Sequence, residues 1–514
     1  MNLYEQFVAE ARAHPDRVAI TDPDGEDLRY ATLDRQARAV HDYLAGRTEP
    51  GDRVALFMMD NPTFVASALG AWRAGCVLTL VNYRFGVEEV AFVLDDIRPE
   101  VVLTDTVFEG SAREASADVG SVESVVVAHT DSFLTEAFGD PDDAPDPVVR
   151  FDGDPAIVMH TSGTTGMPKG VVQSHRNVAA QVEAGVSVFG VTSEDVGIAS
   201  VPLFHVGGFH GLTLMGLTTG GTICVQPAWD AEQWARLVEE TGATLSGLVP
   251  AMMVDALNTE AAREYDTSSL RLHFYGGSPT PEPVVEGFQD TFGVERMLDY
   301  YGQTEVCGLA VTYPPGEERV PGAMGRTLPC LAGRVVDIAT GEELPPGEEG
   351  ELLLRGDSVM QGYWERPDRN DETFSEAEDG GPRWLHTDDV VVRGEDGLLR
   401  YVDRVDDIIH SGGEKVAPAT VENVLQELDA VESVAVFGTP DDRLGETVTA
   451  AIVRADESLT EADVEAHCDS SGALAGYEKP RRIVFVDEFP RTGSQKIDKV
   501  ALSERVLDEL EVSD

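Results

Sequence analysis

Lysine is almost missing from this 514-residue chain: only Lys169, Lys415, Lys479, Lys496 and Lys499 occur, and arginine carries nearly all the positive charge. With 38 basic against 93 acidic residues the formal charge is −55, and a polyanion of that density repels nucleic acid and anionic membranes. The acidic residues run the whole length of the chain, which points to a surface adapted to high salt rather than to a local steering patch. Cysteine is scarce as well. Cys76, Cys224, Cys307, Cys330 and Cys468 form no CxxC pair, which excludes a cysteine zinc site of usual spacing and a disulfide framework, and they read as buried thiols in a reducing compartment. Long apolar runs are absent: the richest stretch, 201–225, is broken by glycines, threonines and two histidines, short of the roughly 18–20 residues a spanning helix needs. The start has no basic patch followed by an apolar core, so no signal peptide is expected. The expected location is cytoplasmic, with no stable membrane insertion and no nucleic-acid partner.

What is present is a rhythm of apolar strands and amphipathic helices. Strand-like runs occur at 54–59, 101–104, 156–160, 222–225 and 271–275, and 230–240 places Trp234, Leu237 and Val238 on one helical face behind a capping Asp230. Such alternation predicts an α/β protein with layered, mainly parallel or mixed sheets. The run at 140–147, acidic and proline-containing, reads as a surface loop or subdomain joint. After Arg404 the pattern changes to a helix near 419–428, strands at 431–438 and 447–453, a helix near 460–468 and a strand at 481–489. This predicts a large domain over 1–404 and a small α+β domain over 405–514.

Five segments carry chemistry. TSGTTGMPKG, 161–170, follows a strand directly. Gly163, Gly166 and Gly170 permit close backbone approach, while Thr161, Ser162, Thr164, Thr165 and Lys169 offer hydroxyl donors and a cation to a polyphosphate. It is not the P-loop, because Lys169 follows Pro168 and precedes Gly170. The others are PLFHVGGFHG at 202–211, YGGSP at 275–279 with DYYGQTE at 299–305, WLHTDDVVVRGEDGLLRYVDR at 384–404 running into RVDDIIHSGGEKVAP, and GYEKPRRIVFVDEFPRTGSQKIDK at 476–499. Each has a bland reading: a flexible linker, a packed core histidine (preferred for His210), a strand end with a surface glutamate, a surface salt bridge, a solvated lysine. Two histidines with no third ligand at useful spacing do not make a metal site.

Their order and company resemble the adenylate-forming superfamily of acyl-CoA synthetases, carrier-loading adenylation domains and beetle luciferases. The resemblance covers nearly the whole chain and implies an AMP-forming acid–thiol ligase. ATP and Mg2+ would bind between a large domain and a small mobile one. The acid, fatty or aromatic, would become an acyl-adenylate with loss of pyrophosphate, and the acyl group would pass to coenzyme A. By the same resemblance Thr161 to Gly166 and Lys169 hold phosphates, and Gly276, Gly277 and Ser278 line the adenine and acyl cleft. Tyr300 or Tyr301 stacks near adenine beside Gly302, Thr304 bonds the α-phosphate, and Glu305 binds the metal. His205, Phe209 and Gly277 lie near the acyl group. Asp389 matches the ribose carboxylate and Arg404 a second ribose or phosphate contact, although Asp388 replaces the family's usual glycine and leaves both aspartates open. Asp406 matches the hinge, Gly412, Gly413 and Glu414 would face coenzyme A, and Lys496 matches the catalytic lysine, a point cation able to bridge carboxylate and phosphate. Gln495 and Lys499 stand where glycine and arginine are common. A homodimer is compatible with this reading. The rival readings are a stand-alone enzyme loading a carrier protein's phosphopantetheine, a luciferase-type oxygenase with no feature to support it, and a non-catalytic nucleotide-binding regulator, against which Lys496, Glu305 and Asp389 all stand.

Overall fold

The computed structural model describes residues 2–23, 27–128, 138–161, 168–441, 443–490 and 497–513, with the backbone alone at 500 and 508–513. These fall into two compact units, one within Met1–Gly163, Met167–Gly333 and Leu354–Leu385, the other within Arg334–Leu353 and His386–Asp514.

The first unit holds two large sheets. One has seven strands, in the order Gly362–Tyr363, Lys169–Ser174, Pro155–Thr161, Val77–Leu80, Arg53–Phe57, Val101–Thr104, Ser124–Val127. The last five are mutually parallel and the first two antiparallel. Val77–Leu80 and Val101–Thr104 are buried at every residue, the pattern of strands covered on both faces. The other sheet has nine strands, with Leu245–Leu248, Leu272–Gly276 and Met297–Gln303 parallel neighbours and Gly308–Thr312 antiparallel beyond them. Helix His175–Phe189 packs on Lys169–Ser174 and on Gly308–Thr312, one strand from each sheet, giving the layered α/β arrangement the periodicity predicts.

Local signals account for the helices. Asp230 caps Ala231–Thr241 by accepting from the Gln233 amide at 2.7 Å, and Gly242, at φ 63°, closes it. Its apolar face, Trp234, Leu237 and Val238, is fully buried, each large side chain contributing about 2–3 kcal/mol through removal from water. Residues 141–147 form a turn and irregular chain, as a surface loop should.

In the second unit, strands run in the order Glu414–Val416, Ile409–Ser411, Gly445–Arg454, Val431–Asp441, with Arg482–Phe485 parallel to Gly445–Arg454. Helices Pro418–Leu425 and Glu461–Ser471 supply Val421, Leu425 and Val464 to its core, against Val436, Val448 and Ile452. Contacts also group 334–353 and 386–404 with this unit, because Trp384–Arg393 pairs with Leu399–Arg404 and the chain continues from there without a break. Among the described residues no helix is long and apolar enough to cross a membrane. The five cysteines are unpaired, four of them buried and Cys330 half-buried.

Candidate active site

In the first unit, Thr161 and Lys169 are directly opposite each other at the end of the antiparallel pair Pro155–Thr161 and Lys169–Ser174. The predicted phosphate-binding segment is therefore the connection of a hairpin. Ser162, Gly163, Thr164, Thr165 and Gly166 lie outside the described residues. At the hairpin's mouth His160 is bound to Asp96, Nε2 to Oδ2 at 3.1 Å, with both side chains nearly sealed from solvent. Arg366 meets the other oxygen of Asp96 at 2.5 Å.

Gly276 and Gly302 have a packing reason to be glycine. A Cβ on Gly276 would stand 2.1 Å from the Tyr300 carbonyl oxygen, and one on Gly302 would stand 1.8 Å from that of Gly308, distances no side chain survives. Gly277 and Ser278 follow at the strand end, Ser278 exposed. Tyr301 is buried. Tyr300 is half-buried, its ring edge-on to Phe274 at 6.1 Å, and its hydroxyl lies 3.7 Å from where a Gly207 side chain would begin. The strand then enters a single turn, Thr304–Val306. Gln173 Nε2 donates to the Thr304 carbonyl at 2.8 Å, the Met360 amide donates to that of Glu305 at 2.8 Å, and the Tyr363 hydroxyl donates to Glu305 Oε1 at 2.9 Å. His210, fully buried as the core reading expects, binds the Cys307 carbonyl through Nδ1 at 3.0 Å. Burial holds its pKa down to about 4, so it is neutral at pH 7 and donates from Nδ1.

His205 stands at the N-cap position of the short helix Val206–Gly208, without a side-chain capping bond, and the helix continues as a π-helical turn over Phe209–Leu214, a distortion frequent at functional sites. His205 is half-buried with its ring 4.4 Å from Phe204. Phe209 is wedged between Phe64 at 5.8 Å and Trp72 at 5.6 Å with no exposed surface.

In the second unit, antiparallel register sets Asp389 opposite Arg404. Arg404 NH1 lies 3.2 Å from Asp389 Oδ1, and NH2 lies 3.7 Å from Asp388 Oδ2. Asp389 is 4% exposed and Asp388 40%. Asp388 has φ 57°, in the left-handed region. That accounts for the usual glycine here, and aspartate is one of the few other residues to tolerate the conformation. His386 donates to Glu351 Oε2 at 2.9 Å, which raises its pKa, and the Asp388 amide reaches Oε1 of the same carboxylate at 3.2 Å. Asp406 is exposed in the turn Val405–Asp407 that follows. Gly412 and Gly413, at φ 64° and 91°, form the exposed two-residue turn joining Ile409–Ser411 to Glu414–Val416, a hairpin that demands positive φ at both positions. Glu414 is exposed beside it. Lys496 lies outside the described residues. Among those described, no three His, Cys, Asp or Glu side chains are grouped to hold a metal ion.

Residues 7–364 match the AMP-binding enzyme family, and 420–496 match the AMP-binding enzyme C-terminal domain. This chain is an AMP-binding enzyme. It is 34% identical to a feruloyl-CoA synthase from Amycolatopsis sp, across 95% of this chain and 96% of that one. It is 32% identical to the fatty acid–acyl-carrier-protein ligase ScoC of Streptomyces coeruleorubidus, across 94% and 92%. Its fold matches that of the anthranilate CoA ligase AuaEII in complex with anthranoyl-AMP, with a TM-score of 0.89, 25% identity and coverage of 98% and 97%.

The structure of this AMP-binding enzyme also brings forward residues that no motif marks. Asp60 is one. It is 2% exposed, and its Oδ1 accepts from the Leu203 amide at 2.9 Å, two residues before His205. Burial pushes its pKa up to about 7, against the pull of the Leu203 amide, Arg84 and Tyr83. A carboxyl raised in the folded state contributes most below its unfolded pKa of about 4 and loses that contribution as pH rises through 7. Asp60→Asn keeps an acceptor for Leu203 without the titration. The wild type is therefore expected to lose stability relative to the variant between pH 4 and 7, levelling off above; a difference in Tm that stays flat with pH contradicts this. The only advance signal for Asp60 was an acidic residue ending an apolar run.

Proposed function

We propose that this AMP-binding enzyme is an acid–coenzyme A ligase acting on fatty or aromatic carboxylic acids. The substrate carboxylate attacks the α-phosphorus of ATP, forming the acyl–O–P bond as the α–β bridge breaks and pyrophosphate leaves. The thiol of coenzyme A then attacks the acyl carbon, its proton passing to solvent, and AMP departs. No covalent enzyme intermediate is needed, so the protein's task is positioning and charge stabilisation.

The observation that carries this reading is the bracing of the Thr304–Val306 turn. Gln173, from the strand that Lys169 begins, holds the Thr304 carbonyl, and Met360 holds that of Glu305. An oxygen donor pair at 304–305 is thereby tied to the strand that leaves the phosphate loop. In this role Lys169 and the loop 161–166 bind phosphates, Thr304 bonds the α-phosphate, and Tyr300 lies by the adenine. On the second unit Asp389, oriented by Arg404, takes the ribose hydroxyls. Glu305 fits a magnesium ion, a hard cation that combines few carboxylates with phosphate oxygens; the ion would neutralise phosphate charge. His205 stands at the acyl side, Asp406 is the hinge, and the Gly412–Glu414 turn faces coenzyme A.

The test is ATP–pyrophosphate exchange with a panel of fatty and aromatic acids in high salt, followed by thioester assay with coenzyme A and with a phosphopantetheinylated carrier protein. Acid-dependent exchange and turnover with coenzyme A are expected. Exchange with no acid, or thioester formed on the carrier alone, would refute the reading.

A further inference from the structure

Tyr363 belongs to none of the sequence segments first singled out, yet it touches two of the groups assigned to the nucleotide. Its hydroxyl donates to Glu305 Oε1 at 2.9 Å, and the Lys169 ammonium lies 5.8 Å from its ring centroid, within cation–π range. Tyr363 is 9% exposed, so its own side of both contacts is largely shielded from water, where such contacts are stronger.

The residue itself is held from several directions. Gly362–Tyr363 forms the edge strand against Val171 and Val172. Asn370 grips its backbone at both polar groups, accepting from the Tyr363 amide at 2.6 Å and donating to its carbonyl at 3.1 Å. The next residue, Trp364, donates its amide to the Gly170 carbonyl at 2.7 Å and its indole N–H to the Asp96 carbonyl at 3.2 Å. Asp96 is the carboxylate that also holds His160, immediately before the phosphate loop. Just upstream, Met360 holds the Glu305 backbone. The stretch 360–366 is thus a brace fastened to both sides of the phosphate-loop hairpin and to the Glu305 turn.

We propose that Tyr363 is a positioning residue of the nucleotide site, fixing the Glu305 carboxylate and the Lys169 ammonium relative to each other so that they meet magnesium-ATP pre-arranged. This rests on the roles proposed above for Glu305 and Lys169. A carboxylate carrying one strong hydrogen bond on Oε1 presents its other oxygen in a fixed direction, and a cation held over a ring loses less freedom when it binds phosphate.

Tyr363→Phe removes the hydroxyl and keeps the ring; Tyr363→Leu removes both contacts. Binding of a non-hydrolysable ATP analogue, read by calorimetry with and without Mg2+, requires no turnover. For Tyr363→Phe about a tenfold loss of affinity is expected in Mg2+, little change without it, a matching rise in KM for ATP, and unchanged KM for the acid. Tyr363→Leu should lose affinity in both conditions. Thioester formation from supplied acyl-adenylate should remain near wild type. The proposal is overturned if Tyr363→Phe binds the analogue as wild type does in Mg2+, or if both half-reactions fall equally with a lowered Tm, the mark of a merely structural residue. Failure of the wild type to bind the analogue would instead refute the functional reading.

Discussion

Lys496→Ala is expected to slow acyl-adenylate formation by roughly a thousandfold, the scale on which loss of one preorganised charge donor is felt. Conversion of supplied acyl-adenylate to thioester should stay within about threefold of wild type, since the bonds that form and break in that step are at the acyl carbon and not at phosphorus. Lysine is so rare in this chain that one set in a Gly-containing segment calls for a chemical role. The Asp498 amide donates to the Pro490 carbonyl at 2.8 Å, joining the two ends of the segment that contains Lys496. Single-turnover measurement of each half-reaction checks the split. Equal loss in both would remove Lys496 from the adenylation step.

Lys499→Met should cost about 3 kcal/mol of stability in the second unit, near the lower end for removing one partner of a buried ion pair because Lys499 is only partly sealed. The Lys499 ammonium lies 2.9 Å from Glu422 Oε1, with 27% of its side chain exposed. Burial alone would lower its pKa, but Glu422 and Asp403 together reverse that and raise it. Glu422 also accepts from the Val436 amide at 2.8 Å, and Asp403 accepts from the amides of Ala419 and Arg404, each at 2.8 Å. One cation therefore joins the start of helix Lys499–Ser513 to helix Pro418–Leu425 through Glu422 and acts electrostatically on Asp403 in the strand ending at Arg404.

The pH dependence of this variant follows from Asp403. Burial pushes its carboxyl up to about 6, with Lys499 pulling it back down. A raised acid favours the fold when protonated, and that contribution is lost as pH rises through the folded pKa. Without Lys499 the carboxyl moves higher still, so the deficit should be smaller near pH 5, where Asp403 stays protonated and only the Glu422 contact is lost, than at pH 8, where both contributions are missing. Urea unfolding at the two pH values reads it, and Lys499→Arg should recover most of the loss. A deficit independent of pH would dissociate Asp403 from Lys499.

These two lysines mark the limits of legibility. Lys496 stands out in sequence because of its company: a Gly-containing segment near the end of a chain whose earlier segments already suggest phosphate chemistry. Lys499 registers there only as a replacement for arginine. Its partners, Glu422 and Asp403, are distant in sequence, and no periodicity or spacing connects them. Asp60 and Tyr363 were hidden for the same reason. One is paired with an amide 143 residues on, the other with a carboxylate 58 residues back. Gly276 and Gly302 were legible as glycines but not for the reason the strands give, which is the approach of a neighbouring backbone. Asp388 was legible as a departure, and its left-handed φ explains what the departure replaces.

By itself the sequence determined the α/β class, the helix Ala231–Thr241 with its cap and the order of the chemical segments. Periodicity, capping and turn preferences are properties of residues within a few positions of one another. The tertiary structure alone decided which groups brace the Glu305 turn, why Arg404 faces Asp389, where Phe209 is buried and how Lys499 is shared between two carboxylates. Those contacts join elements far apart in the chain, and their strength comes from removal from water, which only the packed fold accomplishes.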